Sequence, residues 1–287
     1  MWFSRIYVEL TNICWLNCTF CPDKNNPLKK MDLPFFESII KQASKYTNEI
    51  VCHVMGDPLT LSNITNYLDV IEHYGMKAMI TTSGFYLKTH TPNTLLANPV
   101  RQLNISLNSF NKNTTTVSFD DYVRDILSLC DEKLQSYPDI FLNLRLWNID
   151  KQNSENDYNE KVFRVLEKHF GIDIHANMEG KKPVRLASKV LLNFDDYFEW
   201  PSLSNPIYGD GYCGGLDSHF AILSDGKVVP CCLDYEAVVE LGDLKHQSLC
   251  EILSSNKACA IKDGFKQNMA VEELCQKCSY KSRFIEA

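Results

Sequence analysis

Three cysteines stand close together near the start of the chain, at Cys14, Cys18 and Cys21. They follow a short apolar run, Arg5–Leu10, of the kind that forms a β-strand. Three thiolates on one loop can bind three irons of a cubane cluster and leave the fourth iron open to a small molecule. A zinc loop is the alternative, although zinc sites favour cysteines paired two residues apart and a fourth ligand. The pattern therefore predicts a metal centre at the start of the fold.

The composition indicates where such a centre would operate. The chain has 287 residues, 12 of them cysteine, and a formal charge of -7, which disfavours nonspecific nucleic-acid binding. No apolar run approaches the roughly 20 residues of a membrane span, and the N-terminus lacks the features of a signal peptide. We therefore expect a cytoplasmic protein, where clustered cysteines indicate metal binding or catalysis rather than disulfides. Four other cysteines are expected to be small buried side chains: Cys52, Cys130, Cys250 and Cys259.

Apolar runs alternate with helical patterns as far as about residue 177, which predicts a mostly parallel sheet with helices outside. The fold class expected is α/β, a partial (β/α)6 barrel of the TIM type with a small C-terminal hairpin-plus-helix iron–sulfur module. The expected strands are Arg5–Leu10, Glu49–Val54, Met76–Thr82, Arg101–Leu107, Ile140–Trp147 and Ile172–Asn177. The expected helices are Pro34–Tyr46, Ser62–Tyr74, Pro92–Ala97, Phe119–Gln135, Asp157–Phe170 and Ser248–Ser254. The barrel is assigned to residues 1–180, a loop-rich connection to 181–207, and the module to 208–287.

Polar residues follow successive predicted strands. Barrels of this type place their chemistry at the carboxyl ends of the strands. Each short motif taken alone is also typical of an ordinary turn, but together they predict one polar mouth. The residues concerned are Met55, Gly56 and Asp57 after the second strand, Ser83 after the third, Ser106 and Asn108 at the fourth, and Arg145 on the fifth.

The arrangement Cys14-x3-Cys18-x2-Cys21 after a first strand resembles the signature of radical S-adenosylmethionine (radical SAM) enzymes. Phe20, immediately before the third cysteine, fits the same family. Gly56-Asp57-Pro58 is similar to its Gly-Glu-Pro motif, with aspartate in place of the usual glutamate. The resemblance covers about residues 4–180. It implies a [4Fe–4S] cluster that binds SAM and, after one-electron reduction, yields a 5′-deoxyadenosyl radical that abstracts a substrate hydrogen.

The resemblance also implies roles for the residues at the predicted mouth. Phe20 would flank the adenine of SAM, and Arg145 would bind its carboxylate, to which a guanidinium can donate two parallel hydrogen bonds. For the serines and Asn108, a strand-end hydrogen bond is the alternative role. His53 is either an acid–base group or, as we favour, a structural histidine. The other implied SAM contacts are Met55, Gly56 and Asp57 at the amino group, and Ser83, Ser106 and Asn108 near the ribose or methionine.

A second set of cysteines closes the chain. An Asp225-Gly226 turn between two apolar runs predicts a β-hairpin. Twelve residues separate Cys213 from this glycine, and four more separate the glycine from Cys231. With Cys275-x2-Cys278, this spacing resembles the twitch module, a shortened SPASM domain that holds one auxiliary [4Fe–4S] cluster on four cysteines. Cys232 is the alternative to Cys231, and a structural zinc site is the alternative to the cluster.

These motifs together predict a radical SAM enzyme that oxidises or crosslinks its substrate with the help of one auxiliary cluster. The substrate is a small polar metabolite or a ribosomally made peptide. The spacing of the second cysteine set resembles that of a twitch-bearing dehydrogenase acting on an aminocyclitol, and only about five residues precede the first strand, where peptide-recognition domains are often fused. A flavodoxin- or ferredoxin-type electron donor is implied. The alternatives are a non-catalytic iron–sulfur electron carrier and a radical SAM enzyme that modifies RNA.

Overall fold

The structure, a computed structural model, describes residues 2–23 and 27–284. Its central element is one sheet whose strands have the order β10-β9-β8-β1-β2-β3-β4-β5-β7-β6. The strands are β1 (Arg5–Val8), β2 (Glu49–Val51), β3 (Lys77–Thr82), β4 (Val100–Ser106), β5 (Phe141–Ile149), β6 (Val184–Ala187), β7 (Val190–Asp196), β8 (His219–Ile222), β9 (Lys227–Val229) and β10 (Gly242–Asp243).

Helices cover one face of this sheet, and their ends follow local sequence signals. Asp32 caps α1 by accepting a hydrogen bond from the Phe35 amide, with Pro34 in the first turn. Gly171 ends α6 in the left-handed region, at φ 67°. The helices are α1 (Leu33–Ala43), α2 (Ile64–His73), α3 (Pro92–Leu96), α4 (Asn108–Asn111), α5 (Phe119–Ser136), α6 (Asn156–Phe170), α7 (Ile174–Asn177), α8 (Leu249–Leu253), α9 (Asn256–Lys266) and α10 (Glu273–Gln276).

The core of the sheet is parallel, as the alternation of strands and helices predicts. Every neighbouring pair from β8 through β1, β2, β3, β4 and β5 to β7 is parallel, and antiparallel strands occur only beyond these. Leu142, Leu144 and Leu146 on β5 are fully buried toward the helices, whereas the residues between them face the other way. This arrangement confirms the partial TIM-type barrel.

The predicted position of the sixth strand, Ile172–Asn177, is wrong. Most of that segment is the short helix α7, whose first turn is capped when Asp173 accepts a hydrogen bond of 2.8 Å from the Ala176 amide. The sixth parallel strand of the barrel is instead β7, which pairs with β5 and follows the antiparallel strand β6. Both strands lie within 181–207, the range expected to be a loop-rich connection because of Pro183, Pro201, Pro206 and the polar run Asn193–Trp200. The assignment of the boundaries at residues 180 and 207 stays a prediction.

The predicted hairpin is present, but it extends the barrel sheet instead of standing apart. β8 and β9 are antiparallel around Gly226, whose φ of 97° suits glycine. β8 also pairs in parallel with β1, with Arg5 opposite His219 and Val8 opposite Ile222. The module that carries the second cysteine set is therefore joined by backbone hydrogen bonds to the strand that leads into the first set.

The cysteines outside the two sets divide into two kinds. Cys52 and Cys130 are buried, as expected, but Cys250 and Cys259 are exposed, which corrects that expectation. Both exposed cysteines lie on short helices whose buried faces are formed by other residues, such as Leu249 and Ile261. All 12 cysteines lie in the described part of the chain, and none forms a disulfide. Among the described helices, none combines the length and the apolar composition that crossing a membrane requires.

Candidate active site

The first cysteine loop leaves the end of β1 and folds back at a tight turn, where the Cys21 amide donates to the Cys18 carbonyl over 3.0 Å. Cys18 is buried, while Cys14 and Cys21 are partly exposed. The loop rests on the segment that follows α4, because the Thr19 amide donates to the Lys112 carbonyl over 3.1 Å. The structure therefore places the three cysteines at the carboxyl end of the first barrel strand, where the sequence predicts a cluster.

Gly56 lies directly against this loop. A Cβ atom at this position would stand 2.0 Å from the carbonyl oxygen of Thr11, which no real side chain can do. The next residue, Asp57, donates its amide to the Ile13 carbonyl over 3.0 Å. The motif after β2 thus packs its backbone on the backbone of the first cysteine loop, and only glycine permits that approach.

The side chain of Asp57 is used inside the protein rather than directed at the barrel mouth. Its carboxylate accepts hydrogen bonds from the Leu59 amide, the Thr82 hydroxyl, and both the amide and hydroxyl of Ser83, at 2.7 to 3.0 Å. Burial raises the pKa of this carboxyl, while these donors favour its ionised form. Asp57 therefore ties the loop after β2 to the end of β3, and it also occupies the Ser83 hydroxyl.

Ser106 and Arg145 point to the same side of the sheet. Ser106 on β4 is in register with Arg145 on β5, which is in register with Asn193 on β7. Two residues earlier on each strand, Asn104 and Asn143 are likewise in register, and the side-chain amide of Asn143 donates to the side-chain oxygen of Asn104 over 3.1 Å. Since the alternate residues of β5 are the buried leucines, this polar set faces the interior of the barrel. Asn193 belongs to this set although the sequence predicts a loop there, because it lies on β7.

Several polar atoms of this interior have no hydrogen-bond partner among the described residues. They are Nδ1 of His53, Oδ1 of Asn108, Oδ1 of Asn143 and Nδ2 of Asn193. Arg145 stacks on Trp147, with 4.5 Å from the guanidinium carbon to the ring centroid, and its pKa is lowered to about 10 by burial. Buried polar atoms are rarely left unpaired in folded proteins. The interior therefore has the unfilled hydrogen-bonding capacity and the positive charge that a polar ligand with a carboxylate would use.

Near the opposite wall, aromatic and imidazole rings gather around Tyr7. The rings of His53 and His219 lie 6.0 and 5.7 Å from its ring, both edge-on. Burial and the charge of Arg145 lower the pKa of His53 to about 3, so this histidine is neutral at physiological pH. The hydroxyl of Tyr7 hydrogen-bonds to Cys232, and burial raises its pKa. The barrel interior thus reaches, at Tyr7, the residue Cys232 that directly follows Cys231 of the second cysteine set.

The lowered pKa of His53 predicts a loss of stability in mild acid. Below a pH of about 6.5, the pKa of His53 in the unfolded chain, His53 is protonated in the unfolded chain but stays neutral in the folded one. The unfolding free energy therefore falls as the pH falls toward about 3. We expect His53 to lower the unfolding free energy by roughly 2 kcal/mol between pH 7 and pH 5. Anaerobic urea denaturation at both values, on the wild type and a His53→Gln variant, measures it. An equally steep decline in the variant would contradict the assignment.

The second set of cysteines lines a single cavity. Cys213, Cys231, Cys275 and Cys278 all border it, together with Pro201, Pro230, Asp234, Val239, Phe265, Leu274 and Lys281. Burial raises the pKa of Cys213 to about 11, and burial together with neighbouring thiols raises the pKa of Cys231 well above its usual range. Such thiols ionise readily only when a metal supplies positive charge. The donor set of four sulfurs therefore fits a metal cluster.

A structural zinc ion and a [4Fe–4S] cluster both take four cysteine ligands. Within the described ranges, no three His, Cys, Asp or Glu side chains are arranged to hold a single metal ion. A structural zinc ion needs its four thiolates around one point, whereas the thiolates of a [4Fe–4S] cluster each bind a separate iron.

Lys281 is buried and donates hydrogen bonds to the carbonyls of Cys275 and Cys278, so it stabilises the turn that contains these two cysteines.

The structure separates Cys231 from its neighbour. Cys231 borders the cavity, whereas Cys232 packs with the small apolar cluster around Val54 and bonds to Tyr7. We therefore expect Cys231→Ala to lose the auxiliary cluster, about half of the iron when each cluster holds four irons. Cys232→Ala is the matched control and should retain it. Iron and sulfide analysis after anaerobic reconstitution measures both, and the reverse pattern would assign the ligand to Cys232.

Two residues that the sequence reasoning missed connect these regions. Glu9, buried at the end of β1, accepts hydrogen bonds from the Met55 amide over 3.0 Å and from the amide and hydroxyl of Ser224 in the hairpin turn. Trp200 donates its indole N–H to the Phe20 carbonyl over 3.0 Å, and the next residue, Pro201, borders the four-cysteine cavity. A lone Glu at a strand end and a lone Trp in a polar segment give no sequence signal for either contact.

Comparison with known families agrees with this geometry. The radical SAM superfamily matches residues 8–141, and the iron–sulfur cluster-binding domain called SPASM matches residues 213–279. No curated protein sequence matches the chain significantly.

Solved structures share the fold at low sequence identity. The chain is similar to BtrN in complex with AdoMet and 2-DOIA, with a TM-score of 0.61 and 16% identity, covering 97% of this chain and 94% of that one. It is similar to SuiB from Streptococcus suis bound to its precursor peptide SuiA, with a TM-score of 0.61 and 13% identity over 100% and 73% of the two chains. It also resembles native anSMEcpe with bound AdoMet, with a TM-score of 0.53 and 16% identity over 96% and 87%.

The radical SAM domain implies a [4Fe–4S] cluster and SAM as cofactors, and the SPASM domain implies an auxiliary iron–sulfur centre. The three-cysteine loop lies at the start of the first match, and the four-cysteine cavity lies within the second. The chain therefore carries a radical SAM domain at residues 8–141, followed by a SPASM iron–sulfur cluster-binding domain at residues 213–279.

Proposed function

We propose that this radical SAM enzyme oxidises or crosslinks a polar substrate held between the barrel interior and the auxiliary module. The observation that carries the proposal is the junction at Tyr7, where the polar barrel interior meets Cys232, the residue next to Cys231. A redox centre on the module would therefore stand beside the substrate space. When bound, the first cluster in its reduced form and SAM would supply a 5′-deoxyadenosyl radical able to remove a substrate hydrogen.

The residues of the chain would bind and orient these groups. Cys14, Cys18 and Cys21 would hold the first cluster, and Cys213, Cys231, Cys275 and Cys278 the auxiliary [4Fe–4S] cluster. The two remaining tasks are SAM recognition and loop placement. Arg145 would pair with the SAM carboxylate, and the unpaired Oδ1 of Asn108 would accept a hydrogen bond from its ribose or amino group. Asp57 would act through the backbone of its loop, since its carboxylate is fully engaged.

The remaining implied SAM contacts also lie near the barrel mouth. Phe20 precedes Cys21 and its carbonyl is held by Trp200, which leaves its ring to flank the adenine. Met55 uses its amide for Glu9, so its carbonyl oxygen is the group available to the SAM amino group. Gly56 would shape the loop, Ser83 would act by supporting Asp57, and Ser106 would lie beside Arg145.

The unpaired amide atoms of Asn143 and Asn193 favour a substrate rich in hydrogen-bonding groups, such as a small hydroxylated or amino-substituted metabolite. A peptide is the second candidate, favoured by the fold shared with SuiB, whose structure contains its precursor peptide. We propose a cytoplasmic location, because all 12 cysteines remain out of disulfides, and a flavodoxin- or ferredoxin-type electron donor.

The reconstituted protein, reduced with dithionite, should convert SAM to 5′-deoxyadenosine and methionine. A deuterated substrate should transfer deuterium into 5′-deoxyadenosine, and testing cyclitols, peptides and RNA in turn selects the substrate class. Full cluster content without any 5′-deoxyadenosine would favour the alternative of a non-catalytic electron carrier. Stimulation by RNA alone would favour RNA modification, which the net charge of -7 does not support.

A further inference from the structure

Asn113 contacts the first cysteine loop from a distant part of the sequence. Its side-chain nitrogen Nδ2 lies 2.8 Å from Sγ of Cys18 and 2.7 Å from the carbonyl oxygen of Ser109. Its side-chain oxygen Oδ1 accepts the amide of Asn17 over 2.8 Å. One side chain therefore touches the sulfur of a proposed cluster ligand and the backbone of the loop on which that ligand stands.

The orientation of this amide group is fixed by its backbone partners. The Asn17 amide can only donate, so the atom that faces it must be the oxygen, and the Ser109 carbonyl can only accept, so the atom that faces it must be the nitrogen. The N–H group consequently points at the sulfur, and a flipped amide would break both backbone bonds. The hydrogen bond to Cys18 is thus imposed by the fold.

We propose that Asn113 is a positioning residue that raises the reduction potential of the SAM-binding cluster through its hydrogen bond to Cys18. Hydrogen bonds to cluster sulfurs are among the factors that set reduction potentials. The reduced cluster carries more negative charge than the oxidised one, so a donor to its thiolate stabilises the reduced form more. Cys18 is buried, at 7% exposure, where such a bond is stronger than in water.

The surroundings allow this bond to be removed without releasing the loop. The Thr19 amide still donates to the Lys112 carbonyl in the absence of the Asn113 side chain. Asn12 offers a matched control, because its amide braces the other arm of the same loop, donating to the Pro27 carbonyl over 2.9 Å and accepting from the Lys29 amide over 2.7 Å. Asn12 and Asn113 thus both brace the loop through side-chain hydrogen bonds. These two Asn12 bonds go to backbone groups, whereas one of the Asn113 bonds goes to the sulfur of Cys18.

The test compares reduction potentials of reconstituted Asn113→Ala, Asn113→Asp and Asn12→Ala proteins with the wild type. Anaerobic redox titration followed by electron paramagnetic resonance gives the potential, and the signal that changes on adding SAM identifies the cluster with the open iron. Asn113→Asp keeps the acceptor for the Asn17 amide but replaces the donor that faces the sulfur by an oxygen. We expect a lower potential in both Asn113 variants, lowest for aspartate, with Asn12→Ala unchanged. The expected shift is on the order of tenfold in the one-electron equilibrium constant, about 59 mV.

Wild-type potentials in both Asn113 variants would overturn the inference, as would an equal shift in Asn12→Ala, which would reduce the effect to loop placement. Loss of the first cluster from both Asn113 variants, with Asn12→Ala intact, would also overturn it in favour of a purely structural role. The inference rests on Cys18 being a ligand of the SAM-binding cluster. A wild-type protein whose spectrum does not respond to SAM would refute that assignment instead, so the two failures are distinguishable.

Discussion

Replacing Cys18 with alanine is expected to abolish SAM cleavage while leaving the auxiliary cluster in place. With two thiolates remaining on the loop, the first cluster loses the ligand of one iron, whereas the cavity lined by Cys213, Cys231, Cys275 and Cys278 is untouched. Iron content should fall from about eight to about four per chain. Formation of 5′-deoxyadenosine should fall to the background of protein without SAM.

Cys259→Ser is the matched control for this experiment. Cys259 is exposed on α9 and lies outside both cysteine sets, so iron content and SAM cleavage should stay at the wild-type level. Loss of all iron from Cys18→Ala would show instead that the first cluster supports the folding of the module. Retention of SAM cleavage by Cys18→Ala would exclude the three-cysteine loop as the radical-generating site.

Gly56→Ala is expected to reduce SAM cleavage on the order of 10²-fold, the loss that a displacement of about 1 Å at a reacting centre can cause. The added Cβ would stand 2.0 Å from the Thr11 carbonyl oxygen and 2.8 Å from the Asn12 carbonyl carbon, both backbone atoms. The loop after β2 and the cysteine loop must therefore move apart. SAM affinity and 5′-deoxyadenosine formation, measured at full iron content, report the change.

Gly171→Ala separates this steric effect from the general cost of replacing a glycine. Gly171 has a φ of 67°, and no atom lies within 4 Å of a Cβ built on it. The substitution should cost about 1 kcal/mol of stability through backbone strain and leave SAM cleavage unchanged. If Gly56→Ala were as active as Gly171→Ala, the close approach to Thr11 would have no role in placing the two loops.

The parts of the fold that follow from nearby residues were predictable. The first cysteine set, the Asp225-Gly226 turn and the end of α6 at Gly171 each depend on signals within a few residues. The sequence does not predict β7, because Asn193 and Asp195 face the barrel interior and give this strand the polar composition of a loop. The reverse holds for Ile172 and Ile174, whose apolar side chains predict a strand where the structure has the short helix α7.

The site was predictable only as far as its motifs reach. The cysteine spacing and the Gly56-Asp57-Pro58 sequence predict which loops form the site. The motif does not reveal that the Asp57 carboxylate accepts hydrogen bonds from the hydroxyls of Thr82 and Ser83. The contact of Asn113 with Cys18 joins residues 95 positions apart, and no local pattern encodes it. The spacing from Gly226 already favours Cys231 over Cys232 as the ligand, and the structure adds that Cys231 borders the cavity.

The parallel pairing of β1 with β8 has a consequence for synthesis of the protein. Arg5 acquires its partner His219 only after 214 further residues have been translated (219 minus 5), which takes roughly 10 to 40 s at typical elongation rates. During that interval, one edge of the strand that leads into the first cysteine loop has no neighbour, and such edges invite pairing with other chains. We therefore expect nascent chains to be prone to aggregation until the hairpin of β8 and β9 has left the ribosome.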